Sequence, residues 1–137
     1  MAYWLVKADP SDYGWEHLVA DRGAAWDGVS NNLALKHMRA VRKGDEALVY
    51  HSGAEKAVVG LARVTGDPYA DPNRGDPRLV AFDLQAVRAL KKRVTLADIK
   101  ADAAFGDFAL VRMPRLSVMP VTAALWKRIL KMAGEKA

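Results

Sequence analysis

The sequence contains no cysteine. That excludes disulfides, thiolate metal centres and a cysteine nucleophile, and it fits a cytoplasmic protein. No apolar run approaches the length that spans a bilayer, so no membrane partner is expected. The chain opens Met1-Ala2-Tyr3-Trp4 without a basic stretch leading into a long apolar segment, so no secretion signal is expected. Its three histidines, His17, His37 and His51, have no metal-ligand spacing. Neither a Gly-x-Ser-x-Gly elbow nor a Walker loop occurs. Asp9, Asp12, Asp27 and Asp45 supply carboxylates, but nothing in their spacing singles out an acid/base pair. Repeats, low-complexity tracts and linkers are also missing. The expectation is a non-enzymatic protein with no cofactor and no metal.

What is there is a chain of 137 residues with a hydrophobic fraction of 51%, enough for one packed domain over residues 1–137. The formal net charge of +5 is unevenly spread. Residues 1–70 hold 8 Lys/Arg and 9 Asp/Glu, whereas residues 71–137 hold 13 and 7, an excess of +6 in the second half. Such asymmetry favours a polyanionic partner, although many basic proteins have none.

Tyr3 to Lys7 is a β-prone run that Pro10 ends, with Tyr3, Leu5 and Lys7 on one face and Trp4 and Val6 on the other. A short helix is expected from Trp15 to Ala20, and Ala24 to Val29 reads as a loop around Trp26. Ser30 or Asn31 caps a helix running to about Arg42. Ala47–Ser52 and Ala57–Val64 read as two strands of a hairpin, with Gly60 marking a bulge or a close backbone approach. Residues 67–77 read as loop. Leu79–Val87 alternates as a strand, with Val80, Phe82, Leu84 and Ala86 facing the core. Thr95 and Asp98 form a capping box opening a short helix. Leu110–Val118 reads as a strand-like segment interrupted at Pro114. Thr122 caps a last helix with Trp126, Ile129, Leu130 and Ala133 as its apolar stripe. Short strands and peripheral helices, without βαβ alternation, argue for an α+β domain around a curled sheet or small barrel.

The order of these pieces carries more than their types. Trp4-Leu5-Val6-Lys7-Ala8-Asp9-Pro10 is followed by Trp26-Asp27-Gly28-Val29-Ser30-Asn31. A helix then ends Arg39-Ala40-Val41-Arg42-Lys43-Gly44-Asp45, and Tyr50-His51-Ser52 and Val59-Gly60-Leu61-Ala62 come after it. Val111-Arg112-Met113-Pro114-Arg115-Leu116-Ser117-Val118-Met119-Pro120-Val121 closes the series. The chain resembles the EVE domain over nearly its whole length. The resemblance implies a PUA-like fold, a mixed β-sheet curled into a pseudo-barrel with peripheral helices, and a likeness to the YTH domain, which reads a methylated adenine in RNA. It further implies recognition of a nucleobase, expected to be a modified one, in DNA or RNA, without chemistry. One departure stands out. The family often reads Arg-Asn-Tyr-Gln after its Trp-Asp-Gly-Val, whereas this chain reads Ser30-Asn31-Asn32-Leu33.

Candidate site residues follow from both readings. Trp26 sits in a polar loop and is either a core plug or a stacking platform, and its loop setting favours the platform. Trp4 reads as core, Trp15 as packing for the first helix and Trp126 as part of the last helix's stripe. Lys7 is either a solvated strand end or, by the resemblance, a group at the pocket mouth, with Asp9 close by. Asp27 and Ser30 flank the loop. Asn31 and Asn32 are helix caps or amides that read a base edge. Tyr50, His51 and Ser52 end a strand, with His51 on the face opposite the other two. Arg112, beside Pro114 and together with Arg115, reads either as a phosphate contact or as a basic surface strand. The expected function is a monomeric binder of a base in a pocket walled by Trp26. The rivals are an enzyme acting on a modified base or nucleotide, and a module that binds protein or the ribosome.

Overall fold

The computed structural model describes residues 1–135. The first strand, β1 (Tyr3–Ala8), stops two residues before Pro10 and is buried on both faces, with Trp4, Leu5 and Val6 all in the core. α1 (Trp15–Asp21) follows, and its chain reverses through Arg22 in the left-handed region (φ 61). Next come β2 (Ala24–Trp26), α2 (Asn32–Ala40), β3 (Glu46–His51) and β4 (Ala57–Val64). A two-residue β5 (Tyr69–Ala70) precedes the long β6 (Val80–Thr95). The second half closes with α3 (Leu96–Lys100), a 3-10 turn (Ala103–Phe105), α4 (Ala109–Arg112), β7 (Val118–Val121) and α5 (Ala123–Met132).

The strands join in the order β2-β6-β4-β3-β1-β7, with β5 also on β6. Among the described residues, only β1 and β3 run parallel; every other pair is antiparallel. Register shifts between β3 and β4 and between β4 and β6 add twist. The mixed sheet curls into a half-barrel with helices outside, the α+β, PUA-like architecture expected. α2 lies against β6 and β7, while α1, α3 and α5 pack on β6. The two ends of the strand path, β2 and β7, do not pair with each other, so the barrel keeps an open seam.

Local signals explain several boundaries. The Asn31 side chain accepts from the Ala34 amide at 3.0 Å, capping α2. Thr95 and Asp98 exchange bonds of 3.1 and 3.0 Å as a capping box. Thr122 caps α5, on which Trp126, Ile129, Leu130 and Ala133 are buried, and Trp126 stacks on Tyr3 at 4.5 Å. Gly60 marks a bulge, as expected, while the group that comes close to it is a side chain rather than a backbone. A register shift falls beside it, and a Cβ there would collide with the Trp15 indole.

Four segments differ from the sequence reading. Tyr69–Ala70, inside residues 67–77 read as loop, is the short strand β5, because it pairs with Ala81 and Val80 of β6. Ala24–Trp26 is a short strand rather than loop, because it pairs with Leu84, Asp83 and Phe82 of β6. Leu110–Val118 is not one strand. Its first part closes the single turn of α4, and extended pairing begins only at Val118, opposite Val6. β6 continues to Thr95, well past Val87, since β4 gives it a partner along that length.

Candidate functional site

At the open seam lies a cleft of about 420 Å³. Lys7, Ala8 and Asp9 line it from the end of β1, and Ala24, Ala25 and Trp26 from β2. Asp12, Tyr13, Asp27, Val29 and Ser117 complete the lining. Trp26 is half-buried: its strand pairing with Phe82 fixes the backbone while part of the indole stays open. The Tyr13 ring stands edge-on to it, 6.5 Å between centroids at 80°. Tyr13 is held in turn by its hydroxyl, which donates to Asp21 at 2.7 Å, and by stacking on His17 at 5.3 Å. Burial and the Asp21 carboxylate push its phenol up to about 12.

Lys7 Nζ donates to the Pro114 carbonyl at 2.8 Å and sits 5.8 Å above the Tyr50 ring. Burial holds its pKa below the ordinary lysine value. Its own amide donates to the Ser117 carbonyl at 2.9 Å, which fixes the opposite lip. Asp9 Oδ1 accepts from the Ser11 hydroxyl at 2.7 Å and the Ser11 amide at 2.9 Å, and these bonds keep its carboxyl below the usual range. The Asp12 and Tyr13 amides donate to the Asp9 carbonyl, so a tight turn follows Pro10.

The loop beyond β2 is pinned from a distance. Gly28, with φ 74, turns the chain, and its amide donates to the buried carboxylate of Asp71 at 3.3 Å. Arg74 donates to the Val29 carbonyl at 2.8 Å and to the Ser30 hydroxyl at 2.5 Å. Residues 71–74 therefore brace the wall that carries Asp27 and Val29.

Of the residues proposed from sequence, Lys7, Asp9, Trp26 and Asp27 come together in this cleft. Tyr50 lies beneath Lys7, Pro114 receives its ammonium, and the Ser52 hydroxyl donates to the Ala8 carbonyl at 3.3 Å. Ser30 is taken by Arg74, and Asn31 caps α2. Asn32 lines a separate cleft with Leu35, Arg39 and Arg78. His51 is buried elsewhere: its Nε2 accepts from the Trp15 amide at 2.9 Å, and its Nδ1 lies 3.3 Å from Glu55. Arg112 donates to the Gly106 carbonyl at 2.6 Å. Sequence reasoning missed Asp12, Tyr13, Val29, Ser117 and the Asp71–Arg74 brace. Tyr13 alone had a signal, since it is an aromatic in a polar loop like Trp26. Among the described residues, no group of three or more His, Cys, Asp or Glu is placed to hold a metal ion. No helix there is long and apolar enough to cross a membrane.

The EVE domain model matches residues 2–132. The chain belongs to the EVE domain family. A Rhodopseudomonas palustris protein solved by NMR is similar to this EVE domain, with a TM-score of 0.93 and 46% identity over 98% of this chain and 94% of that one. Mouse thymocyte nuclear protein 1 is 30% identical over 164 residues, covering 95% of this chain and 73% of the relative. The human THYN1 protein, solved in complex with DNA containing 5-methylcytosine, superposes on this EVE domain with a TM-score of 0.88, at 26% identity over 100% of both chains.

Proposed function

We propose that this EVE domain is a non-enzymatic reader of nucleic acid that takes one base, preferentially a modified one, into the cleft at the barrel seam. The observation that carries the reading is Trp26, an indole left half-open on the wall of a cleft about 420 Å³ in volume. Such a surface accepts the face of a base, and stacking returns about 1–3 kcal/mol. Lys7, Asp9 and Asp27 stand around the same space and would read the base edge. Extrusion from a duplex costs a few kcal/mol and least at a modified or damaged position, which favours such sites. Support for a nucleic-acid partner comes from the human relative bound to methylated DNA.

The test pairs oligonucleotides that carry one modified base, 5-methylcytosine first, with their plain counterparts. The modified member is expected to bind more tightly by about 1–3 kcal/mol, the discrimination one methyl-sized difference gives in an apolar pocket. Trp26→Ala should lose most binding of both members while its circular dichroism stays that of wild type. Equal affinities across every pair tried would remove the modified-base reading, and full binding by folded Trp26→Ala would remove the Trp26 wall.

A further inference from the structure

The charge of the cleft opposes that of the molecule. The chain is +5 overall, yet three carboxylates, Asp9, Asp12 and Asp27, line the cleft against one ammonium, Lys7. That ammonium is already engaged by the Pro114 carbonyl and lies over the Tyr50 ring. None of the three carboxylates takes part in an ion pair among the described residues, where acids elsewhere have found arginines, as in Asp76–Arg78, Asp102–Arg128 and Glu135–Arg88. Further carboxyl groups flank the walls as well. Asp21 accepts from Tyr13, and Asp83 accepts from Tyr69 at 2.6 Å, with Asp27 and Asp71 close enough to help push the Tyr69 hydroxyl up to about 12.

The rings point the same way. Trp26 and Tyr13 meet nearly at right angles, so two π systems form a corner. The negative face of an aromatic ring attracts a cation, and the Tyr13 ring is enriched in electrons by the bond its hydroxyl makes to a carboxylate. Aromatic walls with unneutralised carboxylates at the rim hold a flat cation better than a flat neutral molecule of the same shape.

We propose that the cleft selects a positively charged nucleobase, one made cationic at neutral pH by N-alkylation, over a neutral base of equal size. The inference rests on the base-binding function proposed for this cleft and names the ligand class of that site. A cationic ring would lie against Trp26 and Tyr13 with its charge shared among Asp9, Asp12 and Asp27. The carboxylates are exposed, so water screens them and the advantage is moderate, roughly tenfold in affinity.

Calorimetric titration at neutral pH tests this with methylated nucleosides matched in size and differing in charge: 3-methylcytidine against 5-methylcytidine, and 1-methyladenosine against N6-methyladenosine. The proteins are wild type, Asp27→Asn and the double variant Asp9→Asn/Asp12→Asn, each checked for folding by thermal melt. The cationic member of each pair is expected to bind wild type roughly tenfold more tightly, and the ratio should shrink in both variants. Equal or weaker binding of the cationic members, or a ratio that neither variant moves, overturns the proposal. In the first case, binding of the neutral members leaves the base-binding reading standing. If no nucleoside binds in either form, both readings fail together.

Discussion

Asp45 shows how much a single residue can carry. Its carboxylate, on a side chain 5% exposed, accepts from the Ala2 amide at 3.0 Å, the Trp4 indole at 2.9 Å and the Arg42 amide at 2.9 Å. Burial alone would raise its pKa, but these bonds and the N-terminal ammonium outweigh it and hold the group below its ordinary 3.8. The unfolded chain therefore takes up this proton at a higher pH than the folded one. The stabilisation is fully present above 3.8 and is lost as pH falls through the lower folded value. Asp45→Ala strands three donors and should cost about 3 kcal/mol by urea unfolding. Asp45→Asn should also be destabilised, since its amide turns donors toward donors, and its stability should lose this part of the acid dependence below pH 4. A wild-type acid profile in Asp45→Asn would show that the carboxylate is not the group responsible. From sequence, Asp45 was legible only as an unassigned carboxylate closing a helix motif, because Trp4 and Ala2 lie 41 and 43 positions away. Trp4 and Trp126 were legible as core because periodicity puts them on buried faces. Trp26 was legible as either a core plug or a stacking platform, and the structure leaves it half-buried at the end of β2.

At the scale of elements, α1 and β4 are joined by one close approach. The Trp15 indole packs so near Gly60 that any Cβ on the strand would overlap it, and the Trp15 amide donates to His51 at the end of β3. Gly60→Ala should destabilise the fold by about 3 kcal/mol through overpacking. Trimming the indole in Gly60→Ala/Trp15→Leu should give a loss smaller than the sum of the single variants, measured as a denaturation cycle. Additive losses would mean that the two residues do not share this space. Gly60 was readable as a bulge, because a glycine amid apolar strand residues signals one, whereas the Trp15 side chain beside it was not. β2 and α4 were not. Three residues of strand exist only because β6 offers them an edge, and one turn of helix over Ala109–Arg112 is too short for periodicity to declare. The helix caps were legible for the opposite reason, since Asn31, Thr95 and Thr122 act on amides only three positions away.

Across the whole molecule, the charge at the seam differs in sign from that of the chain's second half. The seam gathers Asp9, Asp12 and Asp27, whereas the excess of +6 belongs to residues 71–137. Part of that excess is neutralised locally: Arg78, Arg88, Arg93, Arg112 and Arg128 all have acidic partners. Composition could report the asymmetry but not this pairing, just as the motif order could suggest a pocket without saying that Asn32 and His51 fall outside it. Arg115 is different. It is exposed, has no ion pair among the described residues, and lies between Pro114, which receives Lys7, and Ser117 on the cleft lip. A phosphate flanking a base in the cleft would find Arg115 unpaired, unlike those arginines. Oligonucleotide affinity should thus fall steeply as salt rises, because each neutralised phosphate releases counterions. Arg115→Gln should flatten the log–log slope by roughly 0.9 on duplex DNA, the share of one phosphate contact, and weaken modified and plain strands alike. Neutral nucleosides should bind with the same affinity at low and high salt in both proteins. A wild-type slope near zero would remove phosphate contacts from the basic half altogether, and an unchanged slope in Arg115→Gln would move them away from the cleft lip.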